Sequence, residues 1–149
     1  MAAEKNSYLN AVNGARSVGR TCGQHGYYPA VTPLQWSDEL YRASYEHNVD
    51  MVESNFFSHD GSGSDTDWTA QIMELGRGSS ANERIKNNGV PTKYSISENL
   101  ASVSSSLPAV MNGLLASDGH CVNIMDSTKQ FMGMARLGNK WGQTFYSVN

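Results

Sequence analysis

The spacing of apolar residues in the first third of the chain predicts two amphipathic helices. Residues 4–18 repeat apolar side chains at helical intervals. A second helix is expected to begin after Ser37, a good N-cap residue followed by two acidic residues, and to run to about Ser54. His47 lies on the apolar stripe of this helix, which predicts a structural, hydrogen-bonded histidine rather than a ligand.

The remaining pattern predicts shorter elements and one closing hairpin. Brief helices are expected at 68–75, 81–88, 108–116 and 120–125, extended segments at 34–36 and 94–97, and hairpin strands at 130–137 and 141–148. Helices and strands alternate without regular β-α-β units, which is typical of a layered α+β domain. No internal repeat or long linker divides the chain, so residues 1–149 are expected to form a single domain.

The composition and charge of the chain disfavour several classes of function. The formal net charge is −3 and the isoelectric point about 5.7, without a basic run, which disfavours binding to nucleic acid. No apolar stretch approaches the roughly 18 residues of a transmembrane segment. Residues 1–5 lack the apolar core of a signal peptide, so the chain is either cytosolic or an exported protein without its signal.

The two cysteines leave three alternatives open. Cys22 and Cys121 could form a disulfide in an oxidising compartment, which would close a loop worth about 4.7 kcal/mol in the chain-entropy model. In a reducing compartment they would be two separate thiols. A zinc site with His25 and His120 is the third alternative, although the adjacent ligands His120 and Cys121 would point in different directions.

Three polar residues are candidates for a functional site. His59 and His120 each lie beside a turn that contains glycine, where loops tend to carry function. Glu98 follows the extended segment predicted at 94–97, and a carboxylate in such a half-buried position needs partners. No local motif connects the three residues, so their spacing alone does not place them in one site. His25 lies in a polar loop and is expected at the surface.

The segments around these candidates resemble signature blocks of a known family. Phe-Phe-Ser-His-Asp-Gly-Ser at 56–62, Ser-Glu-Asn-Leu-Ala at 97–101 and Gly-His-Cys-Val-Asn-Ile-Met at 119–125 are similar to three blocks of the CAP superfamily. This superfamily comprises cysteine-rich secretory proteins, antigen 5 and pathogenesis-related 1 proteins, whose domain is also called SCP. Further matches in the first helix, before the second helix and in the closing hairpin keep the family order, and the pattern is similar to the short bacterial secreted branch.

The resemblance implies a fold, a disulfide and a cleft. The implied fold is a three-layer α-β-α sandwich around a small, mainly antiparallel sheet, in a protein that is secreted, extracellular or periplasmic. The bacterial branch often pairs cysteines at the positions of Cys22 and Cys121. The family cleft carries two histidines and two acidic residues, and His59, Glu98 and His120 occupy three of these places. The fourth falls near Ala116 or Ser117, where no acidic residue stands.

The resemblance leaves the function open between two classes. CAP domains are associated with lipid or sterol binding, divalent metals, proteolysis and receptor binding. The favoured hypothesis is a secreted binding module in which His59 and His120 are metal ligands for zinc or another divalent cation, with no obligatory cofactor. Its partner would be an extracellular lipid, glycan, peptide or protein. The alternative is a metal-dependent hydrolase that uses Glu98 as general base.

Overall fold

A computed structural model describes residues 2–91 and 95–148, which form six α-helices and two β-sheets. In chain order the elements are α1 (Ala2–Arg16), β1 (Arg20–Thr21), a 3-10 turn (Gly23–His25), β2 (Tyr27–Tyr28), β3 (Gln35–Trp36), α2 (Asp38–Glu53), α3 (Trp68–Ile72), α4 (Ala81–Asn87), β4 (Ile96–Ser102), α5 (Leu107–Leu115), α6 (Asp118–Ile124), β5 (Phe131–Leu137) and β6 (Lys140–Tyr146). This mixture of helices and strands confirms the predicted α+β class.

The main sheet has four strands in the order β3-β5-β6-β4. β3 is parallel to β5, and the other neighbouring strands are antiparallel. The predicted hairpin of β5 and β6 is confirmed, and Gly138 adopts a φ of +58° in its turn, a conformation that favours glycine. β4 lies at one end of this order and therefore has a strand partner on one side, β6.

Helices cover both faces of this sheet, as the three-layer prediction requires. On one face α2 and α4 pack against the sheet through a small cluster that includes Leu40, Ala43 and Ile85. On the other face α1, α5 and α6 enclose the larger core. Its strand residues, Met132, Met134, Trp141 and Phe145, alternate along β5 and β6 with residues of the first face. Its helix residues include Val12, Met111 and Ile124.

The second helix begins where its capping residue predicts. The Ser37 side chain accepts a hydrogen bond from the Leu40 backbone N–H, and α2 follows directly. The first helix is shorter than predicted and ends at Arg16 rather than at residue 18. Val18 is 57% exposed and adds nothing to the core, so its helical spacing was misleading.

The strand that carries Glu98 is longer than predicted. The sequence suggested an extended segment at 94–97 with Glu98 after it, whereas β4 continues to Ser102 and contains Glu98. Tyr94 lies outside the described residues. The cause is tertiary: every residue of β4 pairs with β6, from Ile96 opposite Tyr146 to Ser102 opposite Lys140.

A disulfide joins Cys22 to Cys121, with their Cα atoms 5.5 Å apart. Both residues are buried, and the bond ties the segment before the 3-10 turn to α6. This confirms the pairing implied by the family resemblance and removes the thiol and zinc alternatives. None of the helices in residues 2–91 and 95–148 is long and apolar enough to cross a membrane.

Candidate functional site

His59 lies in the loop after α2 and presents an exposed imidazole. Its Nδ1 is 2.8 Å from Glu98 Oε1, and its side chain is 63% exposed. An ionised carboxylate only accepts hydrogen bonds, so Nδ1 is the nitrogen that donates. In the neutral imidazole, Nε2 then keeps its lone pair. The hydrogen bond to Glu98 also raises the pKa of His59, although partial burial opposes it.

Glu98 is the buried centre of this arrangement. Its side chain is 5% exposed, and its second oxygen, Oε2, accepts a hydrogen bond of 3.1 Å from Arg84 Nη2. Burial alone would raise the pKa of this carboxyl group. The hydrogen bond from His59 and the positive charge of Arg84 outweigh burial, so the pKa of Glu98 lies below its usual value. Glu98 therefore remains a carboxylate with both oxygens engaged.

Arg84 is a component of the site that the sequence did not reveal. It lies on α4, its side chain is 2% exposed, and Nη2 also donates to the backbone oxygen of His59 at 2.8 Å. Its Nη1 donates to the backbone oxygen of Ser79 at 2.8 Å. Arg84 thus holds both Glu98 and the backbone of His59. The pattern at 81–88 predicted a helix, but nothing in it marks one arginine as buried.

His47 supports the same loop from α2. It is 1% exposed, and its Nε2 donates to the backbone oxygen of Ser58 at 2.7 Å. Its ring also meets that of Phe56 edge-on, with ring centres 6.2 Å apart. Burial, followed by the charge of Arg84, lowers the pKa of His47 and keeps the ring neutral. The prediction of a buried, hydrogen-bonded histidine is confirmed.

His120 approaches the site from α6 and is half-buried. Burial lowers its pKa, and the positive charge of His59 lowers it further. Asn99 of β4 donates from Nδ2 to the backbone oxygen of His120 at 3.2 Å, and Asn123 donates to Asn99 Oδ1 at 2.8 Å. These bonds fix α6 against the strand that carries Glu98.

An apolar cavity of about 380 Å³ adjoins His120. It lies between β4 and α5, and its lining includes Leu100, Val110 and Leu114. Gly113 also faces it, and apart from its chain neighbours and the backbone of its own helix, no heavy atom of the described residues would lie within 4 Å of a Cβ atom on Gly113. The site therefore combines polar side chains with an adjacent apolar space, as ligand pockets commonly do.

The set of metal-ligand side chains is small. At the place of the fourth family acid, Ala116 ends α5 and Ser117 precedes α6, and neither carries a carboxylate. Across residues 2–91 and 95–148, no group of three or more His, Cys, Asp or Glu side chains is arranged to hold a metal ion. His25 is exposed in the 3-10 turn, as expected. A cation bound beside Glu98 would thus have His59 and His120 as its protein ligands.

Comparison with known proteins shows which family the chain resembles. The model of the cysteine-rich secretory protein family, CAP, matches residues 9–149. No curated protein shows a significant match to this chain. Among solved structures, an extracellular SCP-domain protein of Bacillus anthracis is similar, with 21% identity and a TM-score of 0.74, over 98% of this chain and 41% of that one. This chain thus spans about two-fifths of the Bacillus protein.

Two further bacterial structures share the fold. An outer surface protein of Borrelia burgdorferi has 18% identity and a TM-score of 0.62, over 80% of each chain. A cysteine-rich secretory protein of Staphylococcus aureus has 12% identity and a TM-score of 0.61, over 99% of this chain and 40% of that one. At these identities the structures support the fold alone. Because the family model spans residues 9–149, the chain belongs to the cysteine-rich secretory protein (CAP) family.

Proposed function

We propose that this protein is an extracellular binding module whose ligand site is the cleft formed by His59, Glu98 and His120. Export is supported by the Cys22–Cys121 disulfide, since such bonds persist in oxidising compartments. It is also supported by the descriptions of the Bacillus protein as extracellular and of the Borrelia protein as an outer surface protein.

The observation that carries the proposal is the way in which Glu98 holds His59. Glu98 is buried and neutralised by Arg84, and it fixes Nδ1 of His59 as the protonated nitrogen. This leaves Nε2 of an exposed ring ready to bind a ligand or a cation. A carboxylate that orients a histidine in this manner is the usual support of a metal-binding imidazole.

We expect a divalent cation such as Zn²⁺ to bind weakly in this cleft. His59 and His120 would be its protein ligands, and both imidazoles suit a borderline cation. The cation would supply open positions for an oxygen atom of the extracellular ligand. With two protein ligands instead of the three or four of strong sites, we expect an affinity of about micromolar or weaker.

The contacts of Glu98 weigh against the hydrolase alternative. A general base needs a free oxygen within reach of the water molecule that it deprotonates, and a pKa close to the working pH. In this protein His59 occupies one oxygen and Arg84 the other, and the pKa of Glu98 is lowered. These contacts suit an orienting role for Glu98 in a binding site.

Calorimetric titration with Zn²⁺ at pH 7.5 and pH 5.5 tests this proposal. We expect binding at pH 7.5 that fades at pH 5.5, because protons compete for the histidines. His59→Ala and His120→Ala should each abolish it, Glu98→Gln should weaken it, and His25→Ala provides an exposed control histidine. If the His59 and His120 variants bind zinc like the wild type, the proposed site is wrong.

A further inference from the structure

A second cavity lies at the end of the main sheet that is opposite to the β5–β6 turn. Its volume is about 420 Å³, within the range of about 300–1,000 Å³ that is common for ligand pockets. It is lined by Phe131 at the start of β5, Tyr146 at the end of β6, Trp36 of β3 and the first turn of α2. Its lining shares no residue with the cleft formed by His59, Glu98 and His120.

Three aromatic side chains, those of Trp36, Phe131 and Tyr146, contribute to the wall of this cavity. Phe131 and Tyr146 are opposite each other in the β5–β6 ladder, and their rings stack with centres 5.2 Å apart and planes inclined by 26°. All three residues are half-buried, so part of each side chain remains accessible. The faces of aromatic rings carry partial negative charge and attract organic cations.

The first turn of α2 adds two carboxylates to the same cavity. Asp38 Oδ1 accepts a hydrogen bond of 2.9 Å from Trp36 Nε1, and Glu39 Oε2 accepts one of 3.0 Å from Ser37 Oγ, so both side chains are held in place. Arg42 Nη2 lies 4.0 Å from Glu39 Oε1. Among the described residues, no cation pairs with Asp38. Asp38 therefore places an uncompensated negative charge beside the indole ring.

Lys5 of α1 brings the opposite charge to the rim of the cavity. It is exposed, and within the part of the chain that the structure describes it forms no ion pair. Gly89 and Pro91 of the lining are exposed as well, so the cavity is reached from solvent, whereas Val90 is buried and contributes apolar surface. One open cavity thus offers rings and a carboxylate to a cation, and an ammonium group to an anion.

We propose that this cavity binds phosphocholine. The trimethylammonium group packs against the rings of Trp36, Phe131 and Tyr146, and Asp38 is its counter-charge. The phosphate group pairs with Lys5. A quaternary ammonium group suits this lining better than a primary one, because it has no N–H groups that would be left without acceptors against aromatic rings. The inference goes beyond the proposed function and uses none of its residues.

Nuclear magnetic resonance titration of isotope-labelled protein with phosphocholine tests the proposal. The indole N–H of Trp36, which donates to Asp38, reports on the cavity directly. We expect its signal to shift with a dissociation constant of about millimolar, as befits so small a ligand. The carbon isostere, in which a tert-butyl group replaces trimethylammonium, should bind at least about tenfold more weakly because it lacks the positive charge. An unchanged Trp36 signal, or equal affinity for the isostere, would overturn the proposal.

Three variants examine the parts of the cavity separately. Phe131→Leu keeps an apolar side chain but removes a ring, and Asp38→Asn removes the charge but keeps an oxygen for the indole hydrogen bond; each should weaken binding about threefold to tenfold. Lys5→Gln should weaken binding of phosphocholine but not of choline, which has no phosphate. Phe57→Leu and Asp65→Asn, at exposed positions outside the lining, are the matched controls. Wild-type affinity in Phe131→Leu or in Asp38→Asn would contradict the proposal.

Two further measurements identify the source of the ligand and separate the two sites. Once phosphocholine binds, co-sedimentation with phosphatidylcholine vesicles shows that the source is a lipid headgroup, and its absence shows that the source is a soluble or polymer-bound phosphocholine. His59→Ala should bind phosphocholine like the wild type. Loss of binding in that variant would place the ligand in the cleft with Glu98 and His120 and would overturn this inference. Circular dichroism of each variant establishes that lost binding reflects the site rather than lost folding.

Discussion

Arg84 and Glu98 form an ion pair in which both side chains are almost fully buried, at 2% and 5% exposure, with 3.1 Å between Nη2 and Oε2. The pair joins α4 to the edge strand β4, and a second bond from Arg84 fixes the backbone of His59. Through this arginine, a short helix far from the histidines in sequence determines the orientation of the candidate site.

Replacement of Arg84 should destabilise the protein strongly. Arg84→Met leaves Glu98 buried with His59 as its remaining partner, so we expect the free energy of unfolding to fall by about 3 kcal/mol, as for a broken buried pair. Urea denaturation measures the change. Arg77→Met is the matched control, because Arg77 pairs with Glu83 at the surface, where an ion pair contributes little. Equal effects of the two substitutions would refute the assigned role of Arg84.

Removal of the His47 side chain should lower stability as well. His47→Ala deletes a buried ring and its hydrogen bond to the Ser58 oxygen, and we expect a loss of about 1–3 kcal/mol. Thermal unfolding followed by circular dichroism measures it, with His25→Ala as the exposed control. An unchanged melting temperature combined with lost zinc binding would mean that His47 belongs to the ligand site instead.

Reduction of the Cys22–Cys121 disulfide should lower the free energy of unfolding by more than the replacement of either Arg84 or His47. The bond spans a sequence separation of 99, for which the chain-entropy model gives about 4–5 kcal/mol. Urea denaturation with and without reductant, and of the double serine variant, measures this. The mass of the protein after alkylation without reductant provides the check. Two alkylated thiols under those conditions would show that the bond does not form.

Protonation of the Asp67 carboxylate should destabilise the folded protein at acidic pH. It is 2% exposed and accepts hydrogen bonds from Ser79 N–H at 2.9 Å, Gly63 N–H at 3.0 Å and Ala70 N–H at 3.1 Å. Burial raises its pKa, but these bonds outweigh burial and leave the pKa lowered. Stability from Asp67 is therefore present above the unfolded-state pKa of about 4 and is lost as the pH falls below it.

Asp67→Asn tests this linkage. The stability difference between wild type and variant should be largest at pH 7 and should shrink at pH 3, because the Asp67 carboxylate of the unfolded chain takes up a proton at a higher pH than that of the folded protein. Urea denaturation at pH 7, 5 and 3 measures it. Asp65→Asn, at an exposed position of the same segment, is the control. A difference that stays constant with pH would contradict the account.

Local signals in the sequence predicted much of the fold. Ser37 followed by acidic residues located the start of α2, and Gly138-Asn139 between two strand-like segments located the hairpin of β5 and β6. Both features depend on residues close in sequence, and such interactions are encoded locally. The apolar stripe of α2 likewise predicted that His47 is buried.

No local signal in the sequence brings the candidate site residues together. His59, Glu98 and His120 could be grouped because the blocks around them resemble those of a family, not because their spacing implies contact. The structure brings Nδ1 of His59 to within 2.8 Å of Glu98 Oε1, and the charge of His59 adds to burial in lowering the pKa of His120.

From the sequence followed the order of the helices and of the strands of the main sheet, the disulfide partners by resemblance and the identity of the candidate residues, but not β1, β2 or the 3-10 turn between them. Tertiary structure alone decided that β4 extends to Ser102, that β6 is its strand neighbour in the main sheet and that Arg84 is buried against Glu98. The physical reason is that strand length and the burial of a charge depend on partners distant in sequence. β6 supplies the hydrogen bonds of β4, and the packing of α4 removes Arg84 from water.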